Sequence, residues 1–183
     1  MKKCKVPTIE TERLRLRMWT KKDAQDFFAY ANSPNVGPNA GWRPHQTVSD
    51  SKLVITNYFW RNMVWAIEHK EDGKVIGSIA LTDDKFRAYV NSKELGYSLS
   101  EDYWGKGIMT EAASRMIKYA FEELELDVLM ITTGEENQRS QRVIDKCGFK
   151  YEGTLRKIFK NYDGNVKPVR CYSMLREEYY NNI

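Results

Sequence analysis

The chain has 183 residues, 42% of them hydrophobic and 30% charged, which is enough for one packed domain and unlike a disordered segment. Its formal net charge of +4 is spread along the sequence, so it suits an anionic ligand without forming the basic stripe of a nucleic-acid binder. No apolar run is long enough to cross a bilayer, and no apolar segment follows the basic start MKKCK, so neither a membrane anchor nor a secretion signal is expected.

The first predicted element is a strand at RLRLRM, Arg13 to Met18, where polar and apolar residues alternate. A helix opens at Thr20, a capping residue with Asp23 three places on, and must end by Pro34. NVGPNAGWRPH reads as a loop from its Gly, Pro and Asn content. A second helix starts after Thr47 or Ser49 and runs to about Asn62. MVWAIEH and VIGSIAL are strands joined through KEDGK, whose Asp72-Gly73 pair is a hairpin signal. ELGYSL is a further strand, followed by YWGKGIMTEAA and the helix it opens. VLMITT is an apolar run typical of a strand buried on both faces. NQRSQRVIDKCGF reads as a helix from Asn137 to about Cys147, stopped by Gly148, and KYEGTLRKIF and PVRCYSML close the chain as strands. Antiparallel strands followed by strand–helix–strand–helix–strand indicate a mixed-sheet α/β fold, a single domain over residues 8–180, with no internal repeat or linker.

Cys4, Cys147 and Cys171 leave one cysteine over and show no CxxC spacing, so reduced thiols in a cytoplasmic protein are expected. His45 and His69 are the two histidines, too few for a histidine-based metal site, and no metal is expected.

In the helix after YWGKG, Ile108, Met109, Ala112, Ala113, Met116, Ile117, Ala120, Phe121 and Leu124 form a broad apolar face. Glu111, Arg115, Lys118 and Glu122 fall on the opposite stripe, where Glu111–Arg115 and Lys118–Glu122 are spaced to pair. That phasing places Glu111 outside and removes it from the candidate bases. The helix begins with Gly105-Lys106-Gly107, although glycine is a poor helix former. Free N–H groups of a first turn and the positive end of the helix dipole attract anions, and two glycines let a phosphate approach the backbone. The plainer alternative is a tight strand-to-helix turn. The Walker spacing is absent, and Thr110 stands where GxGxxG needs its third glycine.

ELGYSLSEDYWGKGIMTEAA, followed by NQRSQRVIDKCGFKYEGTLR, resembles the GCN5-related N-acetyltransferases, in particular the branch of the ribosomal-protein N-terminal acetyltransferases RimJ and RimL. The opening TERLRLR and the ending YSMLREEY extend the resemblance over most of the chain. It implies a fold whose central parallel strand pair splays around the cofactor, and acetyl-CoA as the co-substrate. The family's pyrophosphate loop, (Gln/Arg)-x-x-Gly-x-(Gly/Ala), places Trp104 at the Gln/Arg position, Gly107 at the glycine and Met109 at the small residue. The implied cofactor contacts are Tyr97, Leu99, Trp104, Gly105, Lys106, Gly107, Ile108, Met109, Thr110, Asn137 and Ser140. In the second motif Asn137, Gly148 and Phe149 match, but Ile144 occupies the position of the family's usual tyrosine acid.

Acetyl transfer needs a neutral amine, and a protein α-amine titrates near about 8. Glu94 shares a strand face with Gly96 and Ser98 and is the first candidate base, against the alternative of a surface glutamate at a strand start. The resemblance places a backbone N–H near Leu99 toward the thioester oxygen. Ser140 is the candidate partner of the departing sulfur, against a serine bonding back to a helix carbonyl. Asn137 is first a helix cap, Cys147 packs inward, and His45 and His69 are weaker candidates. Trp42, Phe159 and Tyr162 either line the acceptor wall or pack the domain, with packing preferred. The reading is an N-acetyltransferase for a protein or peptide α-amine, such as a ribosomal-protein N-terminus; the alternatives are a small-molecule amine acceptor and a non-catalytic acyl-CoA-binding domain. No membrane or direct nucleic-acid contact is expected, and the resemblance allows a homodimer.

Overall fold

The computed structural model describes residues 3–181. It contains an eight-stranded mixed sheet in the order β1-β2-β3-β4-β5-β6-β8-β7 and, among the described residues, six α-helices. Two compact units divide the chain: one takes the residues up to Leu81 with Tyr97–Ala112, the other Thr82–Gly96 with the chain from Ala113 on.

The first unit opens with β1 (Ile9–Glu10) and β2 (Leu14–Met18), paired antiparallel. Leu14 and Leu16 are fully buried while Arg15 and Arg17 point away, as the alternation predicts. Asp23 reaches back to the Thr20 N–H (2.7 Å) and closes a 3-10 turn over Lys21–Asp23, so α1 (Ala24–Ala31) starts one turn later than the cap alone suggests. Asp23 is nearly buried, and Arg17 grips it with two bonds of 2.9 Å. Burial raises the Asp23 carboxyl, but Arg17 and the Thr20 donors outweigh it and leave it below the usual carboxylate range. NVGPNAGWRPH, expected as a loop, contains a four-residue helix, α2 (Gly37–Ala40), closed by Gly41 in the left-handed region. Thr47 caps α3 (Val48–Asn57) by accepting the Asp50 N–H. This helix ends at Asn57; Phe59–Arg61 is a separate 3-10 turn rather than its continuation to Asn62. Trp19, Phe27, Tyr30, Ile55 and Phe59 fill the core between these helices and β3 (Met63–His69), with Trp42 and Trp104 packed against it.

β4 (Lys74–Asp83) follows β3 through the Asp72-Gly73 turn, with Gly73 at φ 62°. The β3–β4 ladder slips by one residue: Ile67 faces Gly77 but Glu68 faces Val75, which leaves Ile76 as a bulge.

In the second unit, β5 (Ser92–Leu99) pairs parallel with β6 (Val128–Gly134) at three positions, Ser92↔Val128 to Glu94↔Met130. On its other edge β6 pairs antiparallel with β8 (Val166–Leu175) along its whole length, Val128↔Leu175 to Gly134↔Val169, and β7 (Lys150–Lys160) is the edge strand. Leu129, Met130 and Ile131 are buried in succession, as expected for a strand covered on both faces. α5 (Gln138–Lys146) is capped by Cys147 and stopped by Gly148, whose φ of 82° is left-handed. α6 (Arg176–Asn181) was not predicted as an element; its Tyr179 stacks on Phe121 at 5.0 Å.

Candidate active site

The glycine turn lies in the first unit. The end of β5 passes through a 3-10 turn, Glu101–Tyr103, into an extended Trp104, and α4 (Ile108–Glu122) begins four residues later. Gly105 and Gly107 have φ of 74° and 73°, a region that side chains with a Cβ rarely enter. A Cβ at Gly105 would meet nothing within 4 Å, and one at Gly107 only Arg13 Nη2 at 3.7 Å. The sequence therefore needs glycine here for backbone conformation; the space above Gly105 is open, and that above Gly107 holds only the Arg13 guanidinium. The first bond of α4 runs from the Glu111 N–H to Gly107 O (3.0 Å), so the N–H groups of Ile108, Met109 and Thr110 have no partner within the helix. Ile108 and Met109 bury their side chains, while Gly105, Lys106 and Gly107 stay exposed. Trp104 points the other way: its indole N–H donates to Leu99 O (2.9 Å), and the ring packs on the core.

Glu111 corrects the helix phasing. It does not stand on the solvent stripe beside Arg115 but turns back over the turn, only 18% exposed. Arg13 donates to it through Nε (2.6 Å) and its backbone N–H (2.9 Å), and the Thr11 hydroxyl donates at 2.5 Å. Burial raises this carboxyl, but the three donors outweigh it and hold it below its ordinary value. Arg13 also donates to the Lys106 carbonyl (3.0 Å), so one guanidinium ties β2 to both the turn and the helix. The Lys118–Glu122 pair forms as predicted, at 3.8 Å, whereas Arg115 pairs with Glu123.

Upstream of the turn, Tyr97 and Leu99 lie on β5, with Leu99 nearly buried. Glu101 accepts from the Ser33 hydroxyl and from Asn35 (3.0 Å), which anchors the segment to the end of α1. Tyr103 donates to Asp72 (2.5 Å); burial first, then this carboxylate, raise its phenol to about 12. His45 bonds Ser51 (2.8 Å) and packs on Phe27 at 5.0 Å, with burial lowering its pKa; it is a core histidine.

The second unit carries the other predicted residues. Glu94 is half-buried on β5, and its carboxylate accepts from the Thr132 hydroxyl on β6 (2.7 Å). Asn137 caps α5, its side chain accepting the Ser140 N–H at 3.1 Å. Ser140 and Ile144 are the buried residues of that helix, so the serine does face inward as its phasing implied. Cys147 is half-buried near the Ser114 hydroxyl (3.9 Å), and burial raises its thiol, which keeps it from being a ready nucleophile. The described residues contain no group of three or more His, Cys, Asp or Glu able to hold a metal ion.

Sequence reasoning missed Thr132 as the partner of Glu94, and it missed Gly77. A Cβ at Gly77 would lie 2.4 Å from Ser98 O, so β4 tolerates no side chain there. Gly77-Ser78 inside the otherwise apolar VIGSIAL was the available signal.

Residues 13–150 match the acetyltransferase (GNAT) domain family. The uncharacterized N-acetyltransferase YoaA of Bacillus subtilis (strain 168) is 30% identical over 175 residues, 89% of this chain and 96% of that protein. The putative ribosomal N-acetyltransferase YdaF of the same organism is 30% identical over 185 residues, covering 96% of each. Among solved structures, a GNAT-family acetyltransferase from Bacillus anthracis superposes with a TM-score of 0.83 at 24% identity, over 94% of this chain and 100% of that one. The family match spans the glycine turn, the Glu94 strand and the Asn137 helix together, and the chain belongs to the GNAT acetyltransferase family as an N-acetyltransferase.

Proposed function

We propose that the protein binds acetyl-CoA at the Gly105–Thr110 turn and transfers the acetyl group to the N-terminal α-amine of a protein or peptide by direct attack on the thioester. The observation that carries this reading is the pair of positive-φ glycines at the head of a fifteen-residue helix, with open space above Gly105 and only the Arg13 guanidinium near Gly107. Pyrophosphate oxygens accept from the N–H groups of Gly107, Ile108, Met109 and Thr110, and Lys106 adds charge from the exposed rim. Trp104 and Asn137 hold the flanking backbone, Tyr97 flanks the pantetheine arm, and the Leu99 N–H polarises the thioester carbonyl.

The incoming ammonium loses a proton, through water, to Glu94, whose carboxylate Thr132 steadies. The amine nitrogen then attacks the carbonyl carbon, and the tetrahedral intermediate collapses with cleavage of the C–S bond. Ser140 hydrogen-bonds the departing sulfur, and since Ile144 provides no acid, the second proton of the attacking nitrogen passes through water to the thiolate, leaving the neutral amide and free CoA thiol. A protein or peptide acceptor, with a ribosomal protein as the specific case and the RimJ/RimL-like branch as the affiliation, draws support from the relative named as a putative ribosomal N-acetyltransferase. The unpaired cysteines support a cytoplasmic setting, and no helix among the described residues is long and apolar enough to cross a membrane.

Thiol release from acetyl-CoA, measured against peptides with free or blocked N-termini and a panel of small amines, tests the reading. Release with free peptide N-termini only is the expected result. Release with small amines only overturns the acceptor, and CoA binding without release to any amine overturns catalysis.

A further inference from the structure

Three hydroxyls are buried together in the first unit, where packing alone calls for apolar side chains. Ser78 on β4 and Ser98 on β5 are 7% and 5% exposed, and their hydroxyl oxygens are 2.8 Å apart. The Tyr30 hydroxyl, from α1, lies beside both, yet it makes no hydrogen bond of good geometry with either. Burying hydroxyls this way costs stability unless they are bonded, so Phe at 30 and Ala at 78 and 98 would serve a packing role at lower cost.

The backbone around this trio is equally constrained. Ile76 is the bulged residue of β4, and its carbonyl accepts the Ser100 N–H at 2.8 Å. Immediately after the bulge, Gly77 sits so close to Ser98 that a Cβ would come within 2.4 Å of its carbonyl oxygen. The next residue, Ser78, bonds the Ser98 side chain, and Leu99 O is held by the Trp104 indole at 2.9 Å. Four successive devices therefore fix the Ser98–Ser100 peptides: a bulge, a glycine, a hydroxyl pair and an indole. Bulges re-aim strands where a site needs it.

We propose that Ser78 and Ser98 are positioning residues for acetyl transfer, their bonded hydroxyls locking the end of β5 so that the Leu99 N–H keeps a fixed aim at the thioester oxygen. This rests on the acetyl-CoA reading above. The hydroxyls touch no substrate in this role. Their effect passes through the peptide they hold, so they act on turnover and not on capture of the CoA moiety, which belongs to the glycine turn. An oxyanion donor displaced by a fraction of an ångström loses much of its value while ground-state binding is unaltered.

The test measures kcat, KM for acetyl-CoA and CoA affinity by calorimetry for the wild type and for Ser78→Ala, Ser98→Ala, Ser98→Thr and Tyr30→Phe, below their melting temperatures. Expected is a fall in kcat of roughly tenfold in the alanine variants, equivalent to about 1.4 kcal/mol, with CoA affinity unchanged and activity recovered in Ser98→Thr. Amide hydrogen exchange at Ser100, whose N–H the Ile76 carbonyl holds, should quicken in Ser78→Ala, which supplies the readout where Ser98→Ala fails to fold; Tyr30→Phe, which removes no hydrogen bond, should leave it unaltered. Unchanged kcat with a lowered melting temperature, or unchanged exchange at Ser100 in Ser78→Ala, overturns the proposal. Wild-type protein that does not bind CoA overturns the donor reading itself and this inference with it.

Discussion

Replacing Gly107 separates the two demands made on it, backbone conformation and open space. Its φ of 73° costs an ordinary L-residue about 1–2 kcal/mol, while asparagine tolerates the same region more easily. Within the protein a Cβ here meets only Arg13 Nη2 at 3.7 Å, an ordinary contact, so no clash adds to the strain. Gly107→Ala should therefore lower the melting temperature by only about 2–8 °C, at 2–4 °C per kcal/mol for a chain of this size. Gly107→Asn should lower it less. Both place a Cβ and its substituents where the pyrophosphate must reach the N–H groups, so both should weaken CoA by more than ~10-fold, or 1.4 kcal/mol. Thermal unfolding and CoA calorimetry on the same samples decide the matter. A Gly107→Asn protein that melts like the wild type and binds CoA equally well would refute the assignment of the turn as the anion site.

Further outcomes follow from other contacts. Glu111→Gln should destabilise the protein by roughly 1–3 kcal/mol, because three donors lose a charged acceptor, and it should alter the acid limb of stability. The folded-state pKa of Glu111 is depressed, so its stabilisation is present above the ordinary glutamate pKa of 4.5 and disappears as pH falls through the lower folded value. Wild type and Glu111→Gln should converge in urea melts taken across that acid window; a constant difference down to the lowest pH contradicts this. Arg17→Met strands the buried Asp23 carboxylate and should cost about 3–5 kcal/mol in the same melts, unlike a surface pair. Glu94→Gln, which removes the proposed base, should lower kcat by about 10²- to 10⁴-fold with CoA affinity intact, and unchanged initial rates would refute the role. Ser140→Ala should likewise lower kcat more than binding, and the reverse pattern would return it to a structural role.

Much of the architecture was legible because local signals agreed with tertiary demands. Gly148 after an amphipathic run stopped α5, Asp72-Gly73 made the hairpin, and alternation over Arg13–Met18 gave a half-buried strand. Errors came where a long-range partner outweighed the local pattern. Glu111 is spaced to meet Arg115, but Arg13 and Thr11, about a hundred positions away, offer a charged and directional cradle. GPNA lacks a helical signature; its single turn is held by the Ala40 and Trp42 N–H groups donating to Val36 O and Gly37 O, and Gly37 lies so near Trp42 that a Cβ would come within 2.9 Å of the ring. The glycine turn was legible from its residues because backbone at the positive φ of Gly105 and Gly107 imposes itself on composition. Glu94 and Thr132 were harder to see as a pair, since only the parallel register of β5 and β6 brings them together.

The grip of Arg13 and Thr11 on Glu111 makes the first hairpin a mechanical part of the helix mouth. Glu12 projects into solvent between these two residues and touches no ligand in the proposed reaction. A dye attached there reports on the hairpin–helix contact, so a change in its signal on adding CoA would give an optical titration of the proposed donor site.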